Sequence, residues 1–158
     1  TDGACSNNGK SNARAGIGLY FKDNYKQGVS MRICGKQTNN LAELKAILEV
    51  FNICETEIVN GRHVKIFSDS QIAIGWCTIT GAKYEKNNWQ RKGDEIPHID
   101  YVKNGYNMFK KYTNVSIEHI KAHTGNTDEL SLGNAEADRL AGESLDLELE
   151  DEIGDDSK

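Results

Sequence analysis

The spacing of apolar residues in this chain switches from every second position to a helical period near residue 40. No other feature restricts the fold as much. From Arg14 to Lys22 apolar side chains alternate as Ile17, Leu19 and Phe21, and alternation resumes from Lys26 to Cys34 through Val29, Met31 and Ile33. Such alternation lays one face of an extended strand on a core, and Asp23-Asn24 between the runs reads as a turn, so a hairpin is expected. From Asn40 to Glu55 the recurrence becomes Leu41, Leu44, Leu48 and Phe51, with Ile47 in support, which predicts a helix. Further on the pattern predicts a strand over His63–Ser68, a short helix over Ser70–Thr78 and a helix from Pro97 to Tyr112. A strand over Val115–Lys121 and a short helix from Asn134 to Gly142 complete the order. Thr1 to Cys5 reads as the end of a strand rather than its beginning, so a few upstream residues are expected. Three early strands followed by strands alternating with helices predict an α/β fold. Its five-stranded mixed sheet has three antiparallel strands, then parallel ones, and is flanked by helices.

Charge divides the chain in two. Residues 143–158 hold eight acidic side chains against Lys158, a net of −7, whereas residues 1–142 carry a net of +2. The net charge of −5 therefore hides a mildly basic body, and an acidic tail at 143–158 is expected to be disordered. Residues 1–142 are expected to form one domain. No apolar run reaches the about 20 residues of a membrane span, and no membrane partner is expected. Cys5, Cys34, Cys54 and Cys77 lack paired metal-type spacing. They read as reduced thiols of an intracellular protein, cytoplasmic or nuclear.

Four carboxylates occupy distinct contexts: Asp2 in Thr-Asp-Gly-Ala-Cys, Glu43 in Thr-Asn-Asn-Leu-Ala-Glu, Asp69 in Ile-Phe-Ser-Asp-Ser and Asp138 in Gly-Asn-Ala-Glu-Ala-Asp. Taken singly, each has an ordinary reading. Asp2 suits a turn, Glu43 and Asp138 suit solvated helix faces, and Asp69 suits an N-cap. Capping and solvation do not account for all four contexts in that order. Acids at strand ends and on core-facing helices are costly unless a positive group meets them, and divalent cations meet them best.

With Thr38-Asn39-Asn40 ahead of Glu43, Ser68-Asp69-Ser70, His123-x-Gly125 and Gly133-Asn134 ahead of Asp138, the chain resembles the type 1 ribonuclease H family over nearly all of residues 1–142. That resemblance implies a ribonuclease H-like fold and a Mg²⁺-dependent endonuclease that cuts the RNA strand of RNA–DNA hybrids, leaving 5′-phosphate and 3′-hydroxyl ends. Two Mg²⁺ ions per site, for which Mn²⁺ can substitute, would be held by Asp2, Glu43, Asp69 and Asp138. Paired ions of this kind stabilise both the attacking and the leaving oxygen. His123 would move a proton for the leaving group.

The resemblance also implies a nucleic-acid surface. Asn8, Asn39 and Asn40 would read the minor groove and its 2′-hydroxyls, which an amide can both donate to and accept from. Lys36 and Thr38 would grip a DNA-strand phosphate. Lys83, Tyr84, Lys86, Trp89, Arg91 and Lys92 would form a basic protrusion, or else an ordinary charged helix with two buried aromatics. Three departures stand out: a long interval from His123 to Asp138, Pro97-His98 where the family often has an Asn, and Thr80 and Tyr84 where two Trp often stand. The expected partner is an RNA–DNA hybrid and the expected state is monomeric. Rival readings are the ribonuclease H domain of a reverse transcriptase polyprotein, a DNA-cutting enzyme of the same fold, and a hybrid-binding module without catalysis.

Overall fold

The computed structural model describes residues 1–149. Strand β1 (Asp2–Ser6) pairs antiparallel with β2 (Arg14–Leu19), Asp2 opposite Gly18 and Ser6 opposite Arg14. β2 pairs antiparallel with β3 (Val29–Arg32). β4 (Val64–Ser68) and β5 (Val115–His119) form a parallel pair. Between these two ladders, the Thr1 amino group donates to the Phe67 carbonyl at 2.9 Å. The mixed sheet is thus present as expected, but its hydrogen bonding falls into three strands and two.

Helices α1 (Asn39–Ile53), α2 (Glu55–Val59), α3 (Gln71–Cys77), α4 (Ile79–Lys86), α5 (Ile99–Lys111) and α6 (Glu129–Ser144) pack around the sheet. The helix expected over Asn40–Glu55 is broken at Cys54, and α2, which apolar spacing did not resolve, follows it. Thr38 caps α1, its hydroxyl accepting from the Leu41 amide at 3.2 Å. The apolar face of α1 lies against β2: Leu41, Leu44, Ile47 and Phe51 are buried together with Ile17 and Leu19. Ile66, Trp76 and Val102 extend this core beneath β4, α3 and α5. No described helix is long and apolar enough to cross a membrane.

The last helix differs most from expectation. It begins at Glu129 rather than near Asn134, because Asp128 caps it: its carboxylate accepts from the Ser131 amide at 3.2 Å and hydroxyl at 2.6 Å. It also runs past Gly142 to Ser144. Arg14 donates to the carbonyls of Leu145 (2.9 Å) and Leu147 (2.8 Å), and buried Arg32 donates to Leu147 (3.0 Å). The start of the expected disordered tail is therefore folded onto β2 and β3. Arginine satisfies the carbonyls that a helix C-terminus leaves without partners. Residues 150–158 of that tail lie outside the described residues.

Two glycines set how close helices come to the sheet. A Cβ on Gly18 would lie 2.1 Å from the Ala137 carbonyl oxygen, and one on Gly3 would lie 2.4 Å from the Glu43 backbone nitrogen. The missing side chains let α6 and α1 carry their acids onto β1 from opposite faces of the sheet.

Candidate active site and nucleic-acid interface

Asp2 opens β1, Glu43 sits in the second turn of α1, and Asp69 directly follows β4. Each offers a carboxylate oxygen, and these three atoms lie within 4.8 Å of one another. Asp69 does not cap α3. Ser70 does, accepting from the Ala73 amide at 3.1 Å, so the Asp69 carboxylate is left to the cluster. Asp138, on the exposed side of α6, stands near enough to Asp2 to help raise its carboxyl. The four acids expected from the sequence come together, three tightly and Asp138 at the rim.

The cluster is under electrostatic stress. Asp2 is only 4% exposed and Glu43 6%. Burial first, then the Glu43 charge and the contacts with Asp138 and Asp69, push the Asp2 carboxyl up to about 10. Burial also raises Glu43, to about 7, although hydrogen bonds from Asp2 and the Gly3 amide oppose the shift. Oε2 of Glu43 has no hydrogen-bond partner among the described residues. An orphaned, buried carboxylate oxygen beside two further hard oxygen donors fits a divalent cation of the Mg²⁺ type.

This stress makes a prediction. Both acids bind a proton more tightly in the folded protein than in the unfolded chain. Their contribution to stability is therefore complete at acidic pH, and it is lost as pH rises through about 7 and on towards about 10. In EDTA the melting temperature should fall between about pH 5 and pH 9. Mg²⁺ should raise it, and more at the alkaline end, because the cation takes the place of the protons. A Mg²⁺ increment independent of pH would contradict this charge balance.

His123 stands exposed at φ 49° on the loop before α6. It lines a cleft of about 300 Å³ together with Asn134 and Asp138. The long interval from His123 to Asp138 does not separate them: Thr124 and Asp128 tie the intervening residues to Ser131, and α6 starts early. Asn134, named in the sequence only as part of a motif, is 6% exposed, and its side-chain oxygen has no hydrogen-bond partner among the described residues. Its neighbouring Gly133 was the only signal.

The nucleic-acid candidates fall into two groups. Around the start of α1, the Asn8 side chain accepts from the Asn39 amide at 3.2 Å, while Thr38 is the cap and Lys36 and Asn40 are exposed. Asn39 and Asn40 do not cap the helix. Near Lys36 lies His98, lowered by burial and by the charges of Lys36 and Lys45, so this side of the domain is electropositive. Lys45, at the Cys34 carbonyl (2.8 Å), had no signal in the sequence. The second group lies on the C-terminal half of α4 and in the segment after it. Lys83, Lys86 and Lys92 are exposed. Half-buried Trp89, however, packs edge-on to Tyr106 (5.8 Å) and beside Tyr84 (6.3 Å), with Lys103 at 5.5 Å from its ring. Arg91 turns back to the Glu95 carbonyl (3.1 Å) and to Asp94 (3.7 Å). The aromatics hold this segment to the body, and the lysines face solvent.

Comparison with known proteins agrees with this arrangement. The ribonuclease H (RNase H) family model matches residues 1–146. Human ribonuclease H1 is 32% identical over 145 residues, 90% of this chain and 48% of that protein. A ribonuclease H of Thermoanaerobacter sp. is 31% identical, covering 92% of this chain and 86% of that one. The chain thus spans about half the length of human ribonuclease H1 and most of the bacterial enzyme. Among solved structures, the PFV RNase H domain superposes with a TM-score of 0.69 at 23% identity, over 91% of this chain and 90% of that one. With Asp2, Glu43 and Asp69 gathered where β1, α1 and β4 meet, Asp138 beside them, and the family model spanning nearly the whole described chain, the protein belongs to the ribonuclease H family.

Proposed function

We propose that this domain hydrolyses the RNA strand of RNA–DNA hybrids, leaving 5′-phosphate and 3′-hydroxyl ends. The single observation that carries this reading is the convergence of Asp2, Glu43 and Asp69 within 4.8 Å. A phosphodiester attacked in line places charge on entering and leaving oxygens, and carboxylates alone would repel it. Asp2, Glu43, Asp69 and Asp138 would hold Mg²⁺, two ions per site, with Mn²⁺ as a substitute. When bound, such ions lower the pKa of coordinated water and stabilise charge on phosphoryl oxygens.

The protein's own side chains supply the rest. Buried Asp2 and Glu43 keep the anionic cluster rigid, since β1 and α1 are in backbone contact at Gly3. Asp138 closes the cluster from the exposed side. His123, in the adjoining cleft, passes a proton to the leaving oxygen. Asn8, Asn39 and Asn40 recognise 2′-hydroxyls; Lys36, Thr38 and the exposed lysines of the α4 region bind phosphates. A foamy viral protease–reverse transcriptase solved with an RNA/DNA hybrid shares the fold, with a TM-score of 0.66 at 20% identity. The domain is taken to act as a monomer inside the cell.

The test is cleavage of end-labelled RNA–DNA, RNA–RNA and DNA–DNA duplexes in Mg²⁺ or EDTA. Cleavage confined to the hybrid and abolished by EDTA is expected. Equal cleavage of DNA–DNA would favour a DNA-cutting enzyme, and hybrid binding without cleavage would leave a binding module. For His123→Ala we expect kcat to fall by roughly 10²-fold or less, with hybrid affinity little changed, because proton transfer supplies only part of the acceleration. Complete inactivity, or a parallel loss of affinity, would assign His123 a different role.

A further inference from the structure

Six residues, 33 to 38, join β3 to α1, and side chains hold the carbonyls of four of them. The carbonyls of Ile33 and Gly35 both accept from the Gln37 side-chain nitrogen, at 2.8 and 2.9 Å. The Cys34 carbonyl accepts from Lys45 at 2.8 Å, and the Gln37 carbonyl accepts from the Cys5 thiol at 3.7 Å. The oxygen of the Gln37 side chain is tied to the sheet. It accepts from the Ala15 amide on β2 at 2.7 Å and from Arg32 Nη2 at 3.2 Å. Arg32 is itself buried, with Nε on the Ala15 carbonyl (3.2 Å) and Nη1 on the Leu147 carbonyl (3.0 Å). One side-chain amide is therefore used at both ends. Its oxygen is anchored on β2 and β3, and its nitrogen grips the turn at residues 33 and 35.

The turn so gripped carries Lys36 and Thr38, and Asn39 follows directly. Irregular backbone without such bonds opens easily, and binding through an open loop is weakened by the entropy lost in ordering it. We propose that Gln37 is a positioning residue for the nucleic acid: its clip between the sheet and residues 33–35 presents Lys36 and Thr38 to phosphate in one fixed arrangement. This role rests on the reading of Lys36 and Thr38 as phosphate contacts. Two features single out Gln37 from the other bonds of the turn. Its anchor is a buried guanidinium whose three nitrogens all have partners, so the anchor is rigid. It also spans two residues of the turn, whereas Lys45 holds Cys34 alone.

A glutamine amide both accepts and donates, so two substitutions take the clip apart. Gln37→Glu keeps an oxygen for Ala15 and Arg32 but sets a second oxygen, in place of the donor, against the Ile33 and Gly35 carbonyls. Gln37→Met keeps the length, removes both halves and adds no charge. Gln37→Glu should melt within about 2 °C of the wild-type protein, because the anchor survives. Gln37→Met should melt roughly 5 °C lower, because the Ala15 amide and Arg32 lose an acceptor. Despite that difference, both variants should bind an RNA–DNA hybrid about 10-fold more weakly in EDTA. In Mg²⁺ both should raise KM and keep kcat within about 2-fold at saturating hybrid, since the acids are untouched. Backbone order parameters of Gly35 and Lys36 in the free protein should fall from about 0.85 to below about 0.6 in both.

Three results would overturn the positioning role. Wild-type affinity of Gln37→Glu would mean that affinity merely follows stability. Wild-type affinity of Gln37→Met would mean that only the added charge matters. Unchanged order parameters in Gln37→Glu would do so even where Gln37→Met does not fold. A wild-type protein that neither binds nor cuts the hybrid would instead undo the phosphate reading of Lys36 and Thr38, and the order parameters would still report on the clip.

Discussion

Asp69→Asn is expected to lower cleavage of the hybrid by roughly 10²-fold or more, the scale of losing one stabiliser of transition-state charge. The amide keeps the shape of the side chain but not the charge that holds a cation, and Ser70 rather than Asp69 caps α3. The fold and hybrid affinity should therefore survive, and circular dichroism and binding assays will show whether they do. Asp2→Asn should be equally damaging to turnover for the same reason. It should differ in stability, because Asp2 is buried against Glu43, Asp138 and Asp69. Its carboxyl, pushed up to about 10, must take up a proton on folding at pH 8, and the neutral amide needs none, so in EDTA at pH 8 Asp2→Asn should melt above the wild-type protein. Wild-type turnover by Asp69→Asn in Mg²⁺ would remove the basis for the ligand assignment. A lower melting point for Asp2→Asn would contradict that cost of proton uptake.

Gly18→Ala should cost about 3 kcal/mol of stability, at the upper end for overpacking. That corresponds to a fall of roughly 10 °C in melting temperature. Its new methyl would stand 2.1 Å from the Ala137 carbonyl and 2.4 Å from the Ala141 nitrogen, both main-chain atoms that no rotamer change can move aside. Since Asp138 lies between those two residues on α6, activity should fall along with stability. Gly142→Ala is the control. It lies on the same helix with nothing within 4 Å of the added atom, and it should gain up to about 1 kcal/mol from helix propensity. Thermal melts of the two variants side by side separate crowding from backbone entropy. Equal melting temperatures would show that α6 can shift away from β2 without cost.

The order of strands and helices was legible in the chain because alternation and helical recurrence are local. Ile17 and Leu19 need only their own spacing to mark one face of β2, and Leu41, Leu44 and Ile47 need only theirs to mark α1. The four acids were legible because each sits in a distinctive short context. Element ends were not. Capping depends on side-chain geometry, so Asp128 starting α6 and Cys54 breaking α1 left no mark in the apolar pattern. Nor was the nearness of His123 to Asp138 readable across fifteen positions, since the bonds of Thr124 and Asp128 to Ser131 bring them into one cleft. The tertiary structure alone decided that Trp89 packs inward on Tyr106, and that Arg14 and Arg32 hold the residues after α6. It alone decided the charge state of the cluster. By itself, the sequence determined which acids the site contains. Burial of Asp2 and Glu43 within 4.8 Å of Asp69, a property of three elements packed together, decided that they cannot all remain charged without a cation.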